Sequence, residues 1–394
     1  MEKRAVKRKY NILYLDHGAK PLGGGQVNTL SLIKGLNKEL FTPFIVSSQE
    51  NAFTSEARAC GVHVEIIFFP KKITSQGRNS VKYDPYHLVC YGWHVVVLLK
   101  RLIRYINNNQ IDLLHPGDNI MRIIGGIAAR ITRRPAVCQI MDDFEVNTTS
   151  RILRTIILNT MNYVLPVSDK AASFFRKSGK MNEKVVTVYT GIDLGYYNCD
   201  MPDSGLCEEF GIKDGALVIG IVGRLIQLKG HRELFEALAM LKQEGVAAFC
   251  CLVVGDGPEL NSLKDLAFEL GIASEVIFTG FVKSVPAVMK CMNILVAPSH
   301  TEASSRVVLE AGAMQIPVVA TKVGGIPEMI VENKTGILVP LGDIQALSRA
   351  IKDLFDENLR KEMGIAASDR IKSLFCNKAI TAQIEDIYLK AIRE

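Results

Sequence analysis

Tryptophan occurs once in this 394-residue chain, and aromatic residues make up only 7% of it. No run approaches the about 18 consecutive apolar residues of a membrane-spanning helix. The start, "MEKRAVKRKYNILYLDHG", is basic but is followed by one short apolar strand, too short for the about 7–15-residue core of a secretory signal. The nine cysteines include no Cys-x-x-Cys pair and do not alternate with histidines at zinc-ligand spacing. Cys60, Cys90, Cys138, Cys250, Cys251 and Cys291 sit in or beside apolar runs, so reduced, buried thiols are expected. No nucleoside-triphosphate P-loop is present, because no Lys-Ser/Thr follows the glycines of "PLGGGQ". The aromatic and basic interleaving of RNA-binding surfaces is also missing, which argues against nucleic acid. These absences point to a cytoplasmic protein without disulfide, metal or membrane-span scaffolding.

What is present suits a large globular core. Hydrophobic residues make up 48% and charged residues 22%, and the length implies two or three domains. The net charge of +6 conceals an asymmetry. Residues 1–200 hold 27 Lys and Arg against 16 Asp and Glu; the remainder holds 20 against 25. A basic half suits an anionic partner, such as a phosphorylated acceptor or an anionic membrane surface touched from the cytoplasmic face. The pattern "HVVVLLKRLIRYI", with Lys100, Arg101 and Arg104, is the candidate contact. The same pattern suits, somewhat better, a helix packed on a sheet with its basic face in water.

Short apolar runs alternate with helical patterns along most of the chain. "YNILYLD", "TPFIVSS", "HVEIIFF", "IDLLHPG", "PAVCQIMD", "NYVLPVS" and "KVVTVYTGID" read as strands of a first series. "ALVIGIVGRL", "AAFCCLVVGDGP", "EVIFTGF", "NILVAPS", "IPVVAT" and "GILVP" read as strands of a second. Continuous apolar strands followed by helices predict α/β architecture with parallel sheets covered on both faces. Two doubly wound, Rossmann-like domains facing across a cleft are therefore expected. They divide into residues 1–195, residues 196–375 and a C-terminal helix, 376–394, returning to the first domain. The polar stretch "DLGYYNCDMPDSGLCEEFGIKDG" marks the boundary. Ligands of such sheets bind at the carboxyl ends of the strands.

Candidate site residues fall at those ends. In "GIVGRLIQLKG", Gly223, Arg224 and Lys229 follow the first strand of the second series. Arg224 as a fork and Lys229 as a point charge can clamp a diphosphate. In "VVGDGPE", Gly255 and Gly257 permit close backbone approach or a plain tight turn. Val282, after "FTG", lies where specificity side chains are expected. In "PLGGGQ", Gly24 and Gly25 read as a flexible glycine-rich loop lining the cleft, before a helix whose N-terminus favours anions. The stretch "APSHTEASSRVVLEAGAMQIPVVATKVGGIPEMI" places Glu302 before a helix and Glu310 on it. Ser304 or Ser305 can cap that helix. Glu310 lies among apolar residues, where an unpaired charge is costly, so a partner is expected. Gly324 and Gly325 form a second turn in the same crevice.

These motifs, in this order, resemble the donor-binding domain of the retaining GT-B glycosyltransferases of family 4. The matching segments are "GRLIQLKG", "GDGP", "EASSRVVLE", "GGIPE" and "TGILVPLGD", with "GGGQ", "IDLLH", "PVS" and "TGID" in the more divergent first half. The resemblance implies a hexosyltransferase using a nucleotide-diphosphate sugar, UDP- or GDP-linked, and a hydroxyl acceptor, with roles in polysaccharide or glycolipid biosynthesis. It implies that Arg224 and Lys229 hold the diphosphate and that Glu310 binds the ribose. Glu302 would contact the sugar, with Ala303, Ser304, Ser305 and Val308 around the donor. It further implies retained anomeric configuration, no tightly bound cofactor and no metal at the chemical step; no Asp-x-Asp follows a strand. Many members carry a His at the end of the strand "PAVCQIMDD". This chain has Met141, followed by Asp142 and Asp143, which leaves a carboxylate, His115 or Asn119 for the acceptor side. A sugar-nucleotide epimerase, a phosphorylase, or a binding protein without transfer activity are the alternatives.

Overall fold

A computed structural model describes residues 8–18, 23–67, 85–143, 147–176, 179–202, 204–213, 215–246 and 248–394. Pro21 and Leu22 of "PLGGGQ" and Phe68 and Phe69 of "HVEIIFF" lie outside the described residues. The chain forms two compact units: residues 1–191 with 377–394, and residues 192–376.

The first unit is built from strands β1 (Tyr10–Asp16), β2 (Phe41–Ser47), β3 (His63–Ile66), β4 (Leu113–Pro116), β5 (Val137–Ile140) and β6 (Tyr163–Pro166). Its helices are α1 (Gly24–Gly35), α2 (Ala52–Ala59), α3 (Pro85–Asn108), α4 (Asn119–Thr132), α5 (Thr148–Thr160) and α6 (Asp169–Phe175). Strands β3-β2-β1-β4 form one parallel sheet, and a bridge from Leu114 to Ala136 continues it to the β5–β6 pair. The spatial order is therefore 3-2-1-4-5-6, and it reverses between β1 and β4.

Alternation along β1 explains the two covered faces. Ile12 and Tyr14 pack with Leu30, Ile33, Phe53 and Ile384, whereas Leu13 and Leu15 pack with Leu102, Ile124 and Ile157. The C-terminal helix α15 (Asn377–Arg393) belongs to this unit. It buries Ile380, Ile384, Tyr388 and Ala391, at about 1.5–3 kcal/mol for each large apolar side chain. It is also pinned by hydrogen bonds: Glu385 accepts from the Asn37 amide at 2.5 Å, and the Tyr388 and Tyr14 hydroxyls lie 3.2 Å apart.

One expected strand differs. "KVVTVYTGID" makes only isolated bridges, Val164 to Val185 and Ile192 to Cys376. The amides of Val186 and Val188 bond to the carbonyls of Val164 and Pro166. The segment thus runs beside β6 without completing a ladder.

The second unit carries β7 (Leu217–Val222), β8 (Phe249–Val254), β9 (Val276–Gly280), β10 (Ile294–Ala297), β11 (Val318–Thr321) and β12 (Gly336–Val339). Between and after them come α7 (Leu206–Glu209), α8 (His231–Gln243), α9 (Leu260–Glu269), α10 (Val285–Met289), α11 (Arg306–Ala313), α12 (Ile326–Met329), α13 (Ile344–Asp353) and α14 (Glu357–Leu374). All six strands are parallel, in the order β12-β11-β10-β7-β8-β9. Counted from β7, this is again 3-2-1-4-5-6, with the reversal between β7 and β10. Ile219, Ile221, Leu234, Phe235, Cys251, Val253 and Leu263 form the core on one face.

The expectation of reduced thiols fails at one pair. Cys207 on α7 and Cys291, just after α10, form a disulfide with Cα atoms 5.6 Å apart. They are 84 residues apart in sequence, and only the packing of α7 on α10 brings them together, so no spacing rule could reveal the pair. Cys60, Cys138, Cys250 and Cys251 are free thiols. Among the described residues no helix is long and apolar enough to cross a membrane.

Candidate active site

In doubly wound sheets the crevice opens where the strand order reverses, beyond the carboxyl ends of the strands. In the second unit that position is flanked by the loops after β7 and β10. The first loop begins with Gly223 and Arg224. Leu225 is buried, and its amide bonds to the Asp256 carbonyl at 3.0 Å. Arg224 is exposed, and its guanidinium makes no ion pair among the described residues. Lys229 ends a short 3₁₀ turn, Gln227–Lys229, and its Nζ lies 2.6 Å from Glu302 Oε1. Ser299 Oγ donates to the same oxygen at 3.1 Å. The loops after the first and fourth strands are thus tied by an ion pair whose side chains are 31% and 12% exposed.

The glycines of the neighbouring turns serve close backbone packing. Gly255 has φ +134°, and a Cβ there would overlap the Gly223 carbonyl oxygen. Gly324, at φ +53°, lies so close to Glu302 that a Cβ would overlap its carbonyl oxygen. The Gly325 amide donates to that oxygen at 2.9 Å. The "GGIPE" turn and Glu302 are therefore one assembly, as the sequence placed them. Gly257 packs in the same way against Leu225, while Val282 is half-buried just beyond β9.

Helix α11 begins at Arg306 with Ser305 at its N-cap position, but no side chain caps it. This corrects the expected serine cap for Ser305: its hydroxyl is buried without a partner, so its Oγ does not reach back to the first-turn amides. Those amides have no helix carbonyl to bond, as at any helix start. Ala303 and Val308 are buried. Glu310 is 7% exposed, and its expected partner is Arg306, whose Nε and Nη2 lie 3.2 and 3.1 Å from Oε1. Tyr197 is buried beside it. Burial, and then the Glu310 charge, push the Tyr197 phenol far above its ordinary value.

Two residues here escaped the sequence reading. Arg306 is the neutralising partner of Glu310, legible afterwards as an i,i+4 pair. His231, the first residue of α8, is 1% exposed with both ring nitrogens unpartnered. Burial, and then the adjacent Lys229 charge, lower it to about 4, so it is neutral at physiological pH.

In the first unit, Gly24 and Gly25 form the first turn of α1 rather than a preceding loop. Gly23 is its N-cap, and the Gly23 amide donates to Gln26 Oε1 at 3.2 Å. Gly25 lies against Met141. Asn119 and Asp142 are brought together by a residue that the sequence reading missed. Arg122, 1% exposed, donates to Asn119 Oδ1 at 2.6 Å and Asp142 Oδ2 at 2.8 Å, and to the carbonyls of Gly117 and Gln139.

His115 does not join that group, which corrects its expected place on the acceptor side. It lies within β4, buried, with Nδ1 bonded to the Tyr388 hydroxyl and its ring stacked on Tyr14. Burial lowers it to about 3, so it acts as a neutral core residue holding α15.

Two family models together match most of the chain. Residues 22–196 match Glycosyltransferase Family 4, and residues 207–370 match Glycosyl transferases group 1. N-acetyl-alpha-D-glucosaminyl L-malate synthase of Bacillus anthracis is 27% identical over 80% of this chain and 84% of its own length. The capsular polysaccharide biosynthesis glycosyltransferase CapM of Staphylococcus aureus is 25% identical over 82% of this chain and 90% of its own. Among solved structures, Anabaena HepE in complex with UDP and glucose superposes with a TM-score of 0.82. It is 23% identical, covering 97% of this chain and all of the other. The chain belongs to the family 4 glycosyltransferases of GT-B architecture, and its activity is sugar transfer.

Proposed function

We propose that the protein moves a hexosyl unit from a UDP- or GDP-linked sugar to a hydroxyl acceptor, retaining the anomeric configuration and needing no metal at the chemical step. The observation that carries this is the Lys229–Glu302 pair at the β7/β10 reversal, beside the exposed Arg224. In the resting state Lys229 is held by a carboxylate. A diphosphate exchanges for that carboxylate, which frees Glu302 to accept hydrogen bonds from sugar hydroxyls. Arg224 and Lys229 then stabilise the charge that develops on the leaving diphosphate, the role a metal fills elsewhere. The first-turn amides of α11 add donors for phosphate, and Glu310 accepts from the ribose hydroxyls.

The bond from the anomeric carbon to the diphosphate oxygen breaks, and the bond to the acceptor oxygen forms on the same face. The acceptor proton passes to the departing phosphate oxygen. Relatives named for N-acetylglucosaminyl and mannosyl transfer support a hexosyl donor. HepE complexes with UDP and UDP-glucose support a uridine nucleotide as the first to try. Polysaccharide or glycolipid biosynthesis is the setting that CapM and a lipopolysaccharide core enzyme support.

The test is thermal stabilisation by UDP, GDP and their sugars in the presence of chelator, followed by nuclear magnetic resonance of the product's anomeric proton. Stabilisation by one nucleotide that is lost in Arg224→Ala is the expected result; inversion of configuration or a strict metal requirement refutes this mechanism. The exposed Lys100, Arg101 and Arg104 on α3 support peripheral contact with an anionic membrane. Salt-insensitive absence from anionic vesicles in a sedimentation assay rules that contact out.

A further inference from the structure

The strand reversal of the first unit also carries an ion pair. His17 directly follows β1, and Asp118 stands two residues beyond β4. His17 Nδ1 lies 2.8 Å from Asp118 Oδ2, with side chains 25% and 23% exposed. Lys229 and Glu302 likewise join the loops after the first and fourth strands of their own sheet. We propose that the His17–Asp118 pair is the acceptor-binding device of this enzyme, with His17 Nε2 receiving the hydrogen bond of a hydroxyl on an uncharged, polyhydroxylated acceptor. This rests on the transferase reading above and adds the class of acceptor to it.

The pair is held in place from both sides. Asp118 Oδ1 accepts from the amides of Ile120 and Met121, which caps α4, and Oδ2 accepts from the His17 amide at 3.1 Å. The His17 carbonyl accepts from the Ser48 hydroxyl. The neighbouring Asp16 is fixed by the Gly18 amide at 2.7 Å and by Gln26 Nε2, at 3.0 Å to Oδ2, from α1. The imidazole is thus held against a carboxylate that is itself oriented, with Nδ1 in ion-pair contact with Oδ2 but off the line of a hydrogen bond; a histidine beside a fixed carboxylate is poised for hydroxyl chemistry. The carboxylate favours a proton on Nδ1, and no protein group bonds Nε2 among the described residues.

Charge selects the ligand class. Asp16 and Asp118 face His17, giving two carboxylates against one imidazole, and the Arg122 cation nearby is already bound to Asp142. Among the described residues an anion meets no free cation here, whereas hydroxyls find an acceptor in Nε2. A metal ion is a poorer occupant, because backbone and Gln26 donors already take lone pairs on both carboxylates. The adjoining Asp118 carboxylate, opposed by burial and supported by Asp16, raises the His17 titration above its ordinary value. The hydroxyl-accepting, neutral form therefore gains population as pH rises through that titration.

The test uses the full chain with selectively 15N-labelled histidine, saturated with UDP. Ring signals of His17 are assigned by their loss in His17→Gln. The uncharged probes are glucose, galactose, mannose, N-acetylglucosamine and myo-inositol; the anionic probes are L-malate and inositol 1-phosphate; Mg2+ and Zn2+ are added separately. At least one uncharged probe should shift the His17 signals saturably and bind at least tenfold more weakly in His17→Gln. Its binding should weaken as pH falls through the His17 titration. Asp118→Asn keeps an N-cap residue and should lower that titration while weakening the same probe. The thermal shift with UDP should persist in both variants, so loss of the fold or of the donor site is read separately. Tighter binding of an anionic probe, response only to a metal ion, or no response to any uncharged probe overturns the proposal. Failure of both UDP and GDP to stabilise the wild-type protein would instead refute the donor reading.

Discussion

If a diphosphate must take Lys229 from Glu302, the resting ion pair competes with the ligand. Replacing Glu302 with Gln should then tighten the binding of sugar-free UDP or GDP. Both side chains keep some solvent, at 31% and 12% exposure, and Nζ to Oε1 is 2.6 Å. The net worth of such a pair lies near the top of the exposed range, about 1 kcal/mol. Its removal should therefore improve affinity about fivefold. Lys229→Ala should act in the opposite direction. A charge-assisted bond to phosphate contributes about 1.5–3 kcal/mol, so affinity should fall roughly 10- to 150-fold. In the double variant the gain from Glu302→Gln should disappear, because the competitor matters only while Lys229 is present. Isothermal titration calorimetry at fixed ionic strength and without metal measures all four corners of the cycle. Turnover with the nucleotide sugar should fall in Glu302→Gln although nucleotide affinity rises, since Glu302 is assigned to the sugar. Unchanged or weaker nucleotide binding in Glu302→Gln, together with unchanged binding in Lys229→Ala, would refute the exchange.

The buried, unpartnered His231 should make the second unit acid-labile. Its folded titration near 4 lies below the unfolded value of about 6.5, so stability is full above that value and falls as pH drops toward the folded one, by up to about 3 kcal/mol. Chemical denaturation should show that His231→Leu stabilises the protein more at pH 5 than at pH 8. Reduction of Cys207–Cys291, which closes a separation of 84 residues, should lower stability by about 2–4 kcal/mol; a Cys207→Ser variant that melts with the wild type under non-reducing conditions would exclude the bond's contribution. Tyr388→Phe removes the hydroxyl shared by Tyr14 and His115 and should cost about 1–3 kcal/mol, read as a fall in Tm with unchanged affinity for UDP.

The repeating apolar strands were legible because burial on both faces leaves a continuous hydrophobic signal, as in "FCCLVV" of β8, whose six residues are all buried. Hence α/β class, parallel sheets and the second unit's strand series could be read directly. "KVVTVYTGID" misled for the same reason. An apolar run reports burial, and its amides bond to β6, but a ladder also needs matched register, which local composition does not encode. The disulfide was invisible for a related cause, since its two cysteines meet only through helix packing.

The site was legible where a residue type is costly without a reason. Glu310 among "VVLEAGAM" demanded a partner, and Arg306 one turn earlier supplies it. His115 is, by residue type alone, a stand-in for the histidine that Met141 replaces, and it is spent on the core through Tyr388, a residue 273 positions away. His17 drew none, because a lone histidine after "YNILYLD" has no motif around it. Its partner, Asp118, reads locally as a helix cap. Only the strand order, with β1 beside β4, turns two ordinary loop residues into a pair. Motifs record chemistry held within one segment, whereas a charge pair across a sheet reversal exists only after the chain has wound both ways. The second unit's pair was half visible, since Glu302 lies within a motif of its own. The first unit's pair required the fold, and the acceptor is therefore the part of the reaction that the sequence leaves least marked.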